Sequence, residues 1–195
     1  MTSALAALPS WSGAANTRNL ASLGLRAAYR VTAHGAFHAG TSGPLVIVTS
    51  SESVIVSAVL RAVCPRPVHV IANAAMMQVV PPKAMSAIGD IAVRGPGAIA
   101  AQRQALAALV DGRAVAITGD DVPTGYIVAA SGAPVLPVVI LGADGRRHTD
   151  PPALRSAIDV YFGPPVAVPI GGDPFRATTR TAVAEHVRQL LVDAE

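Results

Sequence analysis

Three runs of aliphatic residues constrain this chain more than any other feature: PLVIVT at 44–49, AVAIT at 114–118 and PVLPVVI at 134–140. Each is short, bounded by Gly, Pro or polar residues, and apolar at almost every position rather than at alternate ones. A strand with one wet face alternates. A strand that is apolar throughout needs cover on both faces, as in a parallel sheet between two helical layers. Segments of helical character at 53–63, 97–111 and 175–193 separate the runs, and Gly112 marks the end of the second. Shorter strands are expected at 29–33, 68–72, 91–93 and 158–162. The expectation is a single-domain α/β protein with a mostly parallel central sheet flanked by helices.

The composition agrees. The 195 residues are 51% hydrophobic and 14% charged, which gives enough aliphatic surface to offset the entropy of ordering one domain. Residues 1–16, rich in Ala, Ser and Gly, are expected to be a flexible N-terminus, with 17–195 forming the domain. From Asn16 the sequence NTRNLASLGLRAAYR predicts a short helix capped by Asn16 or Thr17. Its apolar stripe is Leu20, Leu23 and Ala27, with Arg18, Arg26 and Arg30 mostly off it. A basic amphipathic helix can rest on an anionic membrane, but a short and weakly hydrophobic one more simply packs on its own domain.

No apolar run approaches the length of about 18 residues needed to span a bilayer, and the opening MTSALAALPSWSG lacks the basic region of a secretory signal. A cytoplasmic protein is expected, with peripheral membrane contact left open. The single cysteine, Cys64, reads as a small buried thiol beside a helix end. Positive charge comes almost wholly from arginine, Lys83 being the one lysine, and the basic residues are scattered without interleaved aromatics. Nucleic acid is therefore not an expected partner. No Gly-rich nucleotide fingerprint follows a strand, and no residues have metal-ligand spacing, so neither cofactor nor metal is expected.

Four segments in fixed order carry the chemical information. The first is GPLVIVTSSESVIVSAVL, a buried strand running into a helix; the second is IGDIAVRGPG. The third is DGRAVAITGDDVPTG, followed at once by AASGAPVLPVVILG, and DVYFGPPV lies near the end. This colinear set resembles the glycerophospholipid acyltransferase family, which includes lysophosphatidate acyltransferase, over roughly residues 25–170, and most closely over 112–142.

The resemblance implies a site and shows it altered. The family's first motif is Asn-His-x-Ser-x-x-Asp, in which the His removes a proton from the acceptor hydroxyl and the Asp orients the imidazole. Here Ser50 stands at the Asn position, Ser51 at the His position and Val56 at the Asp position, while Ser53 keeps the family's Ser. A hydroxyl is too weak a base and Val has no charge to offer. In the second motif Gly89, Ile91 and Val93 match, but Gly95 takes the place of the phosphate-binding Arg, and Arg94 is one residue early. In the third, Asp120 keeps an acid at the Glu position. Pro134, Val135 and Pro137 match the fourth, which is essentially a strand.

The implied function is a non-catalytic relative of the acyltransferases. It would bind an acyl-CoA, an acyl-carrier-protein thioester, a lysophospholipid or a protein partner through Ser50, Ser51, Ser53, Arg94 and Asp120. Two alternatives stand beside it: an active lysophospholipid acyltransferase with relocated catalytic groups, and a structural protein whose cleft is filled. His34, His38, His69, His148 and His186 are the candidates for a relocated base. No nucleophile elbow surrounds Ser50 or Ser51, and the cluster Ser50, Ser51, Glu52 and Ser53 reads as a helix N-terminus whose hydroxyls cap free amides.

Overall fold

The computed structural model describes residues 8–72, 74–93, 99–119, 124–147 and 149–194. Its centre is strand β2 (Leu45–Thr49), in which all five residues are buried. Leu45 and Ile47 enter one core, while Val46 and Val48 enter another on the opposite face. That division is why the run is apolar at every position. Strands β4 (Ala114–Thr118) and β3 (Val68–Ile71) are also buried along their length, as is β5 (Val135–Leu141) except at its last residue. With β1 (Arg30–His34) and β6 (Ala157–Phe162) they form a six-stranded sheet of order β1-β6-β5-β2-β4-β3. Four of its pairings are parallel; β5 and β6 run antiparallel, with Leu141 opposite Asp159.

The first core is closed by α1 (Trp11–Ala28) and α2 (Val56–Val63). The second is closed by α5 (Ile99–Val110), α6 (Thr124–Ser131) and α7 (Ala177–Ala194). Two short helices, α3 (Ala74–Val79) and α4 (Pro82–Ala87), lie between β3 and α5 and bury Met76 and Met85 with Ala72. The single α/β domain with a mostly parallel sheet is thus as expected. The strand expected at 91–93 reduces to one bridge, Ile91 opposite Ile71.

Helix α1 corrects two expectations. It begins at Trp11, so residues 11–16 are helical, and its cap is Ser10, whose hydroxyl accepts from the amide of Gly13 at 3.0 Å. Thr17 instead donates back to the carbonyl of Gly13. The stripe Leu20–Leu23–Ala27 faces outward, and the buried residues are Ala14 and Leu25. The reason is close approach. A Cβ on Gly13 would lie 2.2 Å from the carbonyl oxygen of Ala87, so only the small-residue face fits against the 87–89 backbone. That contact turns the leucines away.

Candidate functional site

The carboxyl ends of β2, β4 and β5 meet beside the segment that resembles the acyltransferases' first motif. Beyond Thr49 the chain leaves the sheet as an irregular segment, and α2 begins only at Val56, with Ile55 as its cap and no side-chain capping bond. The Ser hydroxyls expected to cap this helix do other things. Ser53 is fully buried and donates to the carbonyl of Ala143 at 2.6 Å, which ties the segment after β2 to the segment after β5. The Ser51 amide donates to the Thr49 hydroxyl at 3.3 Å, and the Ser51 Oγ is buried with no hydrogen-bond partner among the described residues. Glu52 lies over Gly119, the residue after β4: a Cβ there would stand 2.9 Å from a Glu52 carboxylate oxygen. Gly119 has φ of 67°, so the tight turn and the close approach both require glycine.

Between these segments lies an open cleft of about 740 Å³, lined by Ser50, Ser51, Glu52, Val139 to Leu141, Asp144, Tyr161 and Ala194. It sits outside the carboxyl ends of parallel strands, where ligands bind in open α/β sheets. One wall is apolar; the other carries hydroxyls and the two carboxylates. Of the expected ligand-binding positions, Ser50 and Ser51 line this cleft, whereas Ser53 is committed to Ala143. Val56, which the resemblance sets at the Asp position of the first motif, is fully buried in the first core among aliphatic residues. Arg94 and Asp120 lie outside the described residues. Among the described residues no group of three His, Cys, Asp or Glu is placed to hold a metal ion.

The histidines distribute as follows. His69 is buried at the other end of the sheet, where its Nδ1 donates to the Gly89 carbonyl at 2.8 Å and its Nε2 accepts from Arg113 at 3.4 Å. Burial, with Arg113 and Arg61 nearby, pushes its pKa below the usual range. The His38 ring lies tilted against Phe37, and His186 is exposed on α7. His148 lies outside the described residues. His34 is different: its ring stacks on Tyr161 at 4.5 Å, and its Nε2 is 3.9 Å from Asp159. Tyr161 lines the cleft, so a His–Asp pair stands directly behind one of its walls.

Sequence reasoning missed Leu141, Asp144 and Tyr161. These come from the ends of strands distant in the chain, and the one available signal was that a covered sheet opens at its strand ends.

The fold is shared with one solved acyltransferase. The chain is similar to the crystal structure of the 1-acyl-sn-glycerophosphate (LPA) acyltransferase PlsC from Thermotoga maritima, with a TM-score of 0.56 over 91% of this chain and 76% of that one. The sequences are 19% identical, so the likeness establishes a shared fold. No protein-family model matches the chain, and neither does any curated protein. No described helix is long and apolar enough to cross a membrane.

Proposed function

We propose that this protein is a non-catalytic relative of the glycerophospholipid acyltransferases that holds an acyl ligand, a long-chain thioester or a lysophospholipid, in the cleft beside Ser51. The observation that carries the reading is an open cleft lined by Ser51, which the resemblance sets at the base position, while Val56, set at its partner's position, is buried in the core outside the cleft. A volume of about 740 Å³ is within the ordinary range for small-molecule sites, and the apolar side chains of Val139 and Leu141 suit an acyl chain. A purely structural role with a filled cleft is disfavoured by the same opening. The cost of losing a general base is on the order of 10²–10⁴ in rate, and here its orienting partner is absent as well.

One observation favours a second reading, an active enzyme with a relocated base: the His34–Asp159 pair behind Tyr161. Both readings are tested together by titrating the protein with long-chain acyl-CoA while following free-CoA release in the presence of lysophosphatidate or glycerol 3-phosphate. Saturable binding without release supports the first reading. Release that disappears in His34→Ala supports the second, and any release at all sinks the first. Leu141→Asp, at a half-exposed cleft position, should weaken binding about tenfold by removing apolar contact without touching the core. Unchanged binding in that variant would place the ligand elsewhere.

A further inference from the structure

Strand β1 ends the sheet with one side unpaired. It runs in unbroken register with β6, from Arg30 opposite Ala157 to His34 opposite Tyr161. The Arg30 amide donates to the carbonyl of Ser156 at 3.0 Å. Backbone groups alternate sides along a strand, so Arg30, Thr32 and His34 serve the ladder to β6. The amides and carbonyls of Val31 and Ala33 point the other way, where no described strand lies. All residues of β1 except Val31 are exposed. Native sheets blunt such an edge with a proline, a bulge or a covering segment. Strand β1 has neither proline nor bulge. Its one arginine, Arg30, has no ion-pair partner among the described residues.

We infer that β1 pairs with the β1 of a second copy of this chain, antiparallel about a two-fold axis at Thr32, so that the two sheets become one. The edge is its own complement. With the axis at Thr32, Val31 faces Ala33 of the second copy, and Ala33 faces its Val31. These are the residues whose groups point outward, so each facing pair exchanges both of its bonds and no outward amide or carbonyl is left over. A register shifted by two residues would leave Val31 or Ala33 of each copy unpaired. Thr32 meets Thr32 across the axis, a favourable cross-strand pair. The charges also match. Arg30 of the second copy comes opposite His34, whose Nε2 is 3.9 Å from the Asp159 carboxylate, so an unpaired guanidinium and an acid share one face. Phe37, 75% exposed just beyond the strand, comes to the end of the second copy's α1, where Leu23 is 73% exposed. The row that begins at Val139 in the cleft and runs through Tyr161 and His34 is then continued by the second copy's Arg30. The inference concerns assembly and does not depend on what the cleft binds.

The test is sedimentation equilibrium of the full chain from micromolar to hundreds of micromolar, with thermal melts confirming that each variant folds. A monomer–dimer equilibrium of micromolar affinity is expected, since a strand pair buries little area. Ala33→Pro deletes an outward amide and leaves the ladder to β6 intact. It should weaken dimerisation about tenfold or more with little change in Tm. Thr32→Lys sets two ammonium groups face to face across the axis and should do the same; should Ala33→Pro fail to fold, this variant decides. Thr32→Cys reads the register directly, because partners in such a non-hydrogen-bonded pair have Cα atoms about 4.5 Å apart, within disulfide reach. It should give a covalent dimer under oxidised glutathione, whereas Val110→Cys, 87% exposed on α5, should not. Cys64 is buried and stays out of the reaction. A chain that remains monomeric at the highest concentration overturns the inference. So would a dimer that survives both β1 substitutions, assembly into higher polymers, or equal cross-linking of the two cysteine variants.

Discussion

The guanidinium of Arg61 on α2 lies against the carboxylate of Asp90, and solvent reaches neither: their side chains are 3% and 0% exposed. Asp90 also accepts from the Ser57 hydroxyl at 2.8 Å and from the Val70 amide at 3.2 Å. Arg61 donates to Thr17 on α1 and to the carbonyl of Ile88 at 2.7 Å. One buried pair thus joins α1, α2, β3 and the start of the second motif. Burial pushes the Asp90 pKa upward and Arg61 pulls it back. Removing one partner strands a charge in the core, so Asp90→Asn or Arg61→Met should each destabilise the protein by about 3–5 kcal/mol. The double variant Arg61→Met/Asp90→Leu should be markedly less destabilised than the sum of the single changes. Additive losses in denaturant titrations would show that the two groups act separately.

His69 gives the stability a pH dependence with a definite sign. Its pKa in the folded protein is lowered from 6.5, so the unfolded chain binds the proton more readily. Stability is then fully present above about pH 6.5 and declines as pH falls toward the folded-state value, with a slope approaching 1.4 kcal/mol per pH unit. His69→Gln, which retains a donor for Gly89, should flatten the profile between pH 6.5 and the acid transition. A profile identical to that of the native protein would assign the slope to other groups.

Cys64 is fully buried, and burial pushes its pKa to about 12. At pH 8 only about one thiol in 10⁴ is ionised, and it has no exposed path to a reagent. Native protein should react with an aromatic disulfide reagent at the rate of global unfolding, with fast stoichiometric labelling in denaturant. Labelling of the native state within seconds would contradict the burial.

Gly13→Ala sets two effects against each other. Helix propensity favours Ala by about 1 kcal/mol. The new methyl, however, would meet the backbone oxygen of Ala87 at 2.2 Å, and backbone cannot move aside as a flexible side chain can. The clash should win, with a net loss of about 1–3 kcal/mol and a lowered Tm. A raised Tm would mean that α1 is free to shift on the 87–89 segment.

How much of this was legible in the residues depended on which force set each element. Strands β2, β4 and β5 were legible because burial on both faces writes itself as an unbroken aliphatic run. The facing of α1 was misread because close approach, made possible by Gly13 and Ala14, outweighed the larger apolar area of Leu20 and Leu23. Helices α3, α4 and α6 were missed. The antiparallel β5–β6 pairing left no local trace, since the polar connection 142–156 is compatible with either direction. Ser51 and Ser53 were singled out through the order of motifs. Their separate fates, one lining the cleft and one tied to Ala143, depend on a contact across 90 positions of sequence that no local pattern carries.

The pairing of β1 with β6 has a kinetic consequence. Arg30 finds its partner only at Ala157, near the other end of the sequence, whereas β2, β3 and β4 are neighbours drawn from a shorter stretch. A strand made early must wait, edge unsatisfied, until most of the chain has emerged from the ribosome, and such long-range closures are slow. The β1–β6 flank is therefore expected to be the last part of the sheet to assemble, and β1 the stretch most in need of a chaperone while it waits.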